Sequence, residues 1–248
     1  MAVNYIVGNS GFIQCGSADT MLQENAASSI SVWVYPTGDG GGNFGRIISK
    51  GTGGTGGDVF FIMGSGNALN FRVNGGTQLV RASSTLVVTR NDWNHVLCTW
   101  DGSTTASNVH IYVARALNNW ISTEVLYNTT TNGATPTNNA NNIIRIGNNQ
   151  TGSRTFDGKI NELAVWTSVL STQERLLLGI SKIKRIPLQV SPSTLVAYWP
   201  LDESPDGVVS DTPDMFRDLT GNGNNGNPTN FAGGTQPLGA AEEVLSYA

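Results

Sequence analysis

Along residues 29–35 apolar and polar side chains alternate, with Ile30, Val32 and Val34 on one face and Ser31, Trp33 and Tyr35 on the other. Pro36 and a glycine-rich run then end the pattern. A period of two belongs to an extended chain, whose successive side chains point to opposite faces, so this stretch predicts a strand. Comparable runs recur at 46–50, 59–63, 68–73, 77–82, 93–100, 109–113, 142–146 and 159–166. Clusters of Gly, Asn and Thr separate them, the residues that supply turns between antiparallel strands. The pattern predicts an all-β fold of two packed antiparallel sheets. One segment departs from it. Ser171-Thr-Gln-Glu174 has the spacing of a capping box, in which hydroxyl and carboxylate satisfy each other's exposed backbone donors. It predicts one short helix running to about Ile180, with Leu176, Leu177 and Ile180 as its apolar stripe and Pro187 barring continuation. A last strand is expected at about 195–201, followed by a loop-rich stretch of Asp, Gly, Asn and Pro.

Composition narrows the function classes. The 14 Lys plus Arg are outnumbered by 18 Asp plus Glu, for a net charge of −4, which leaves no basic stripe able to neutralise a run of phosphates. Nucleic acid is therefore not an expected partner. No apolar stretch approaches the roughly 20 residues that span a bilayer, so membrane insertion is not expected either. The first ten residues enter strand-like alternation directly and are read as carrying no export signal. Cys15 and Cys98 each sit in a strand-like run, where a small buried thiol is the ordinary reading.

Several phrases occur in a telling order: Ser31-Val-Trp-Val-Tyr-Pro, Arg46-Ile-Ile-Ser-Lys-Gly, Trp93-Asn-His-Val, Thr99-Trp-Asp-Gly, Ile144-Arg-Ile-Gly and Phe156-Asp-Gly-Lys-Ile-Asn-Glu-Leu-Ala-Val-Trp. Together they resemble the laminin-G-like branch of the concanavalin A-like lectin and glucanase superfamily. The resemblance implies a two-sheet antiparallel jelly-roll sandwich with one short helix. The run Leu195-Val-Ala-Tyr-Trp-Pro-Leu-Asp-Glu and the later Asp218-Leu-Thr-Gly-Asn-Gly-Asn-Asn-Gly are similar to the segment that usually opens such a domain. Here they come last, which implies a circularly permuted order: one sandwich over residues 1–235 and a tail at 236–248. The alternative is that residue 195 opens a second, truncated unit.

Candidate sites divide into three groups. A glycosidase on this fold would resemble the glucanase branch of the superfamily, which carries two carboxylates on one strand face, at the separation of about 5 to 5.5 Å that retaining hydrolysis uses. No two acidic residues of this chain are separated by a single residue, and Asp202, Glu203 and Asp206 fall beside Pro205 in a loop, so no catalytic residue is assigned and the chain is expected not to be an enzyme. His95 and His110 lie on strands without an acidic or cysteine partner at ligand spacing and are read as structural. Hard oxygen donors at Asp218, Asn222 and Asn224, with Asp202 nearby, are candidate calcium ligands, and an Asx-turn network is the competing reading. For a carbohydrate ligand the candidates are Trp120, which could stack on a pyranose face, and its neighbours Asn118 and Asn119.

An outward-acting fold without a recognised export signal points to a virion surface component, such as a capsid decoration, head-fibre or tail-adhesin subunit. Laminin-G-like repeats of phage structural proteins, which the chain resembles, imply the same. The closing Ala241-Glu-Glu-Val-Leu-Ser-Tyr is also similar to tails of phage-encoded members. The partners would be a capsid or tail protein, copies of the chain itself and a host-surface glycan, with assembly in the host cytoplasm. A free carbohydrate-binding lectin, and a glycoside hydrolase or lyase on the same fold, are the other readings.

Overall fold

A computed structural model describes residues 2–16, 21–51, 57–180, 185–203 and 215–231. The expected tail at 236–248 and Asp206 lie outside the described residues. In chain order the strands begin with β1 (Val3–Tyr5), β2 (Phe12–Gln14), β3 (Ser28–Pro36), β4 (Arg46–Lys50), β5 (Val59–Gly64), β6 (Ala68–Val73) and β7 (Leu79–Ser83). They continue with β8 (Asn94–Trp100), β9 (Val109–Ala114), β10 (Thr123–Glu124), β11 (Tyr127–Thr131), β12 (Ile144–Ile146) and β13 (Gly158–Trp166). The helix α1 (Thr172–Ile180) separates these from β14 (Leu195–Trp199) and β15 (Asn227–Thr229). One sheet has the order β1-β13-β3-β8-β9-β10, with β14 also paired to β13; the other runs β11-β7-β6-β5-β4-β12-β2-β15. Every pairing between these strands is antiparallel.

The alternation that predicted the strands decides which face is inside. Ile30, Val32 and Val34 enter the apolar layer between the sheets together with Phe61, Phe71, Trp100, Ile144 and Ile146. Ser31 and Trp33 point the other way, and that outer face of the seven-stranded sheet is covered as well. Leu97, Ala164, Trp166 and Tyr198 pack there with Leu178 of α1 and with Ile186 and Val190 of the following connection. Elsewhere on the same face Trp33 and Trp93 form a smaller cluster with Ala2, against which Tyr35 and Trp120 lean. Among the described residues no α-helix lies on the outer face of the eight-stranded sheet, since α1 packs on the other one, and that face offers surface for a ligand.

The capping box forms as expected. The Ser171 backbone N–H donates to Glu174 Oε2 at 2.7 Å, and the Glu174 N–H donates back to Ser171 Oγ at 3.4 Å. The stripe, however, is phased differently. Leu178 and Gly179 are the buried positions, whereas Leu177 and Ile180, expected to face the sheet, are 44% and 53% exposed. A Cβ on Gly179 would approach Ala114 and Ser122 within 3.2 Å, so the helix rests on the sheet through its glycine and rotates the two bulkier residues outward.

The first strand and the strand that follows α1 meet on β13. β14 pairs with its second half, Leu163 opposite Trp199, and β1 with its first half, Val3 opposite Ile160, so two segments far apart in sequence form one edge. In the other sheet β15 pairs with β2, Pro228 opposite Ile13. A permuted order requires this juxtaposition. β15 falls within the stretch read from sequence as loop, and its proline is acceptable because the strand is the last of the sheet and owes no hydrogen bond to a further neighbour.

His95 is buried beside α1, its Nε2 2.8 Å from Ser31 Oγ and its Nδ1 without a partner. Burial pushes its pKa down to about 3. The unfolded chain, with an ordinary histidine pKa near 6.5, binds the extra proton between those values, so this residue's contribution is present above about pH 6.5 and is lost as pH falls toward 3. Comparing urea denaturation of the wild type and His95→Gln should show the wild type losing about 2 kcal/mol more between pH 7 and 5. Parallel pH profiles would show that the imidazole is not held neutral.

Candidate functional site

On the uncovered face, the outward positions of three adjacent strands are Arg46 and Ser49 of β4, Phe60 of β5 and Arg72 of β6, with Phe60 directly opposite both Ser49 and Arg72. Asn74 and Gln78 follow at the β6–β7 turn, and the 149–154 loop after β12 closes the other side. Together they line a cavity of about 330 Å³, at the lower end of the ~300–1,000 Å³ usual for small-ligand sites. Its chemistry is planar cations on aromatic faces. The Arg46 guanidinium lies 4.4 Å from the Phe60 ring centre, and those of Arg72 and Arg154 lie 4.9 and 5.6 Å from Phe44. Burial, and after it the charges of Arg72 and Arg154, push the Arg46 pKa down to about 10, against an opposing pull from Asp58. Burial and then Arg154 lower that of Arg72 as well.

The loop that presents Arg154 is pinned from beneath. Buried Asn148 accepts hydrogen bonds from the backbone N–H groups of Asn149 and Arg154 and donates to Gly11 O, Gly152 O and Thr155 Oγ1. Asn149 Oδ1 accepts from the Ser153 N–H at 2.9 Å. From the opposite side Arg154 Nη1 donates to the carbonyls of Gly41 and Gly42. Gly42 has φ +58°, and a Cβ there would run into that same guanidinium. Gly42→Ala is therefore expected to cost about 1 kcal/mol in backbone strain and to lift Arg154 off the glycine turn. Thermal denaturation gives the first quantity and a crystal structure of the variant shows the second; an unmoved Arg154 would contradict the packing described.

The residues selected from sequence lie elsewhere. Asn118 is committed to its own turn: its Oδ1 accepts from the Arg115 N–H at 2.8 Å and its Nδ2 donates to Val113 O at 2.8 Å. Asn119 is exposed, and Trp120, at φ +61°, leans its half-buried ring on Trp33 with 5.5 Å between ring centres. The three share one turn, in which one amide is already used and the indole has a protein partner.

Asp218, Asn222 and Asn224 do converge, but as a hydrogen-bonded network. Asp218 Oδ1 accepts from the Tyr198 N–H, the Thr220 N–H and Thr220 Oγ1, and Oδ2 accepts from the Asn224 N–H and Asn224 Nδ2. Asn222 Nδ2 and Asn224 Nδ2 both donate to Val196 O. A carbonyl oxygen only accepts, so both amides must turn nitrogen, not oxygen, toward it. Calcium needs six to eight oxygens directed inward. This arrangement aims donors inward and fills both carboxylate oxygens, so it does not fit the ion; among the described residues no group of three or more His, Cys, Asp or Glu side chains is placed to hold a metal.

The histidines and the acidic loop complete the placement. His110 is paired with Glu124 at 2.7 Å. Burial and then the charge of Asp202 raise the Glu203 pKa to about 7, with the hydrogen bond from the Arg217 N–H opposing the rise. No signal in the sequence singled out the arginine cavity. Its residues come from β4, β6 and a loop some eighty positions later, and each taken alone is an ordinary outward position.

The laminin-G-type family model described as the concanavalin A-like lectin/glucanases superfamily matches residues 7–174. A comparison with curated proteins finds no match. Among solved structures, a Bacteroides ovatus ATCC 8483 protein provisionally described as carbohydrate binding is similar over 96% of this chain and 60% of its own, with TM-score 0.54 and 19% identity. Full-length tailspike protein 2 of Escherichia coli O157:H7 bacteriophage CAB120 is similar over 82% of this chain and 29% of its own, with TM-score 0.50 and 13% identity. The heptameric SAP-like pentraxin of Limulus polyphemus gives 0.49 and 14%, over 72% and 81%. At such identities the likeness is one of fold, and the chain spans 60% and 29% of the first two proteins.

Proposed function

We propose that this chain, which belongs to the concanavalin A-like lectin/glucanases superfamily, is a glycan-binding module without catalytic activity, and that its ligand seats in the arginine-lined cavity of the eight-stranded sheet. The observation that carries the reading is the cavity itself: arginine N–H groups together with the amides of Asn74, Gln78 and Gln150 line a concave site on the sheet face not covered by a helix. Sugars are recognised by such convergent polar groups in a shaped recess. The likeness to the Bacteroides ovatus protein adds fold-level support. A glycan array with the purified protein, followed by a search for released reducing ends or unsaturated products, tests both halves. Binding without turnover is expected. Turnover abolished by Glu203→Gln would make the chain an enzyme, and binding unaffected by Arg46→Ala would move the site elsewhere.

A finer reading places the module on a virion surface, as a decoration, head-fibre or tail-adhesin subunit. Its support is the fold likeness to a bacteriophage tailspike, together with the large apolar side chains Leu86, Leu117, Ile121 and Leu126, which are left exposed as a protein contact would require. Mass spectrometry of purified particles should find the chain as a stoichiometric component; finding it only in the particle-free lysate would favour the free lectin.

A further inference from the structure

We infer that the ligand of this cavity is anionic: a saccharide carrying a carboxylate or a sulfate ester, held by Arg46, Arg72 and Arg154. The inference rests on the glycan-binding reading above and specifies its ligand. Three guanidinium groups share one recess in a chain of net charge −4, and among the described residues no Asp or Glu lines it. Arg90 pairs with Asp39, and Glu124 is engaged by His110 Nδ1, both away from the cavity. An opposing charge, that of Asp58, pulls weakly on Arg46.

The donors remain largely unspent. Nε of Arg46 and Nε of Arg72 are buried and have no hydrogen-bond partner. Arg46 Nη1 donates to Phe44 O, and Arg154 Nη1 to the glycine turn, which fixes both groups in place without neutralising them. A guanidinium stacked on an aromatic ring is held flat, and its N–H edge stays available to an acceptor in its own plane. Planar bidentate acceptance is what a carboxylate or sulfate provides, and such charge-assisted pairs are about twice as strong as neutral hydrogen bonds. Gathering three like charges in a partly desolvated site is unfavourable unless a counter-charge arrives, so an anion gains from the site what a neutral sugar cannot. A long nucleic-acid polyanion is a poorer occupant, because the cavity of about 330 Å³ admits only a small group and the chain as a whole is acidic.

The test is calorimetric titration with matched pairs: a uronic-acid oligosaccharide against its carboxyl-reduced neutral counterpart, and a sulfated oligosaccharide against its desulfated form. The acidic member of at least one pair should bind about tenfold more tightly or better, and the preference should shrink as sodium chloride is raised and vanish in Arg72→Gln. Which pair shows the preference tells carboxylate from sulfate. Neutral and acidic forms binding alike, or a preference surviving Arg72→Gln and Arg46→Gln in folded variants, overturns the inference while leaving glycan binding intact. If no saccharide binds, thermal denaturation in sodium sulfate against sodium chloride of equal ionic strength separates the two claims. Extra stabilisation by sulfate that Arg72→Gln removes keeps the anion site and sinks the glycan reading; equal stabilisation of both proteins sinks the anion site as well. Binding of an oligonucleotide that depends on Arg72 and exceeds that of every acidic saccharide would also overturn it.

Discussion

Trp199→Ala is expected to destabilise the folded chain by about 3–5 kcal/mol, the range for emptying a tryptophan site in a packed interior. Trp199 is fully buried in the layer between the sheets. It sits on β14 opposite Leu163, and its indole N–H donates to Asn224 O at 2.7 Å, so it ties the segment after α1 to β13 at the edge of the seven-stranded sheet. A loss of that size is a large fraction of the ~5–15 kcal/mol by which a domain is normally stable. Urea denaturation measures it. A change below about 1 kcal/mol would mean that residues after α1 are an appendage and that β14 does not close the sandwich.

Asp218→Ala is expected to cost about 3 kcal/mol, because both of its oxygens accept hydrogen bonds and the buried N–H of Tyr198 is among the donors left without a partner. Asn224 would lose two bonds at once, from its backbone N–H and its side-chain amide. The same geometry makes a second outcome specific: melting curves of the wild type with chelator and with added calcium should coincide. A ligand bound only by the folded state would raise the transition in proportion to RT ln(1 + [L]/Kd). A calcium-dependent rise that Asp218→Ala abolishes would therefore contradict the network described and restore an ion to the loop.

What the sequence could and could not reveal follows from the range over which each signal acts. The alternation at 29–35 is a local property of one extended segment, and it put Ile30, Val32 and Val34 on a common face, the one that enters the layer between the sheets. The capping box is likewise local, and Ser171 and Glu174 form it. The phase of α1 is not local: in nine residues the leucines at 176, 177 and 178 supply apolar side chains on more than one side, and the face is selected by tertiary contact, the packing of Leu178 on the sheet and the close approach of Gly179 to Ala114 and Ser122. β15 has no readable period, since three residues including Pro228 form a strand only because the free edge of β2 is there to receive them. The spacing of Asp218, Asn222 and Asn224 announced a convergent loop but not the direction of its dipoles. That direction is set by Val196 O and the Tyr198 N–H, some twenty or more residues away.

The arginine cavity was the least legible feature for the same reason. Period-two alternation identifies Arg72 as outward from Phe71 and Val73, yet an outward residue looks the same whether it meets solvent or a ligand. Its meaning comes from Arg46 two strands away, from Phe44 beneath it and from a loop fixed by Asn148. Trp120, chosen for its ring and its polar neighbours, lies instead on the other sheet's outer face against Trp33.

Those two faces can be told apart in one experiment. Nitrogen-15 NMR of the protein titrated with the oligosaccharide that binds most tightly would follow the arginine Nε–H and tryptophan Nε1–H resonances together. Shifts are predicted for Arg46, Arg72 and Arg154 and for the backbone amides of 149–154, with the Trp120 indole unmoved. Shifts centred on Trp120 and Asn119, with the three arginines unchanged, would contradict the assignment of the eight-stranded sheet as the ligand-binding face.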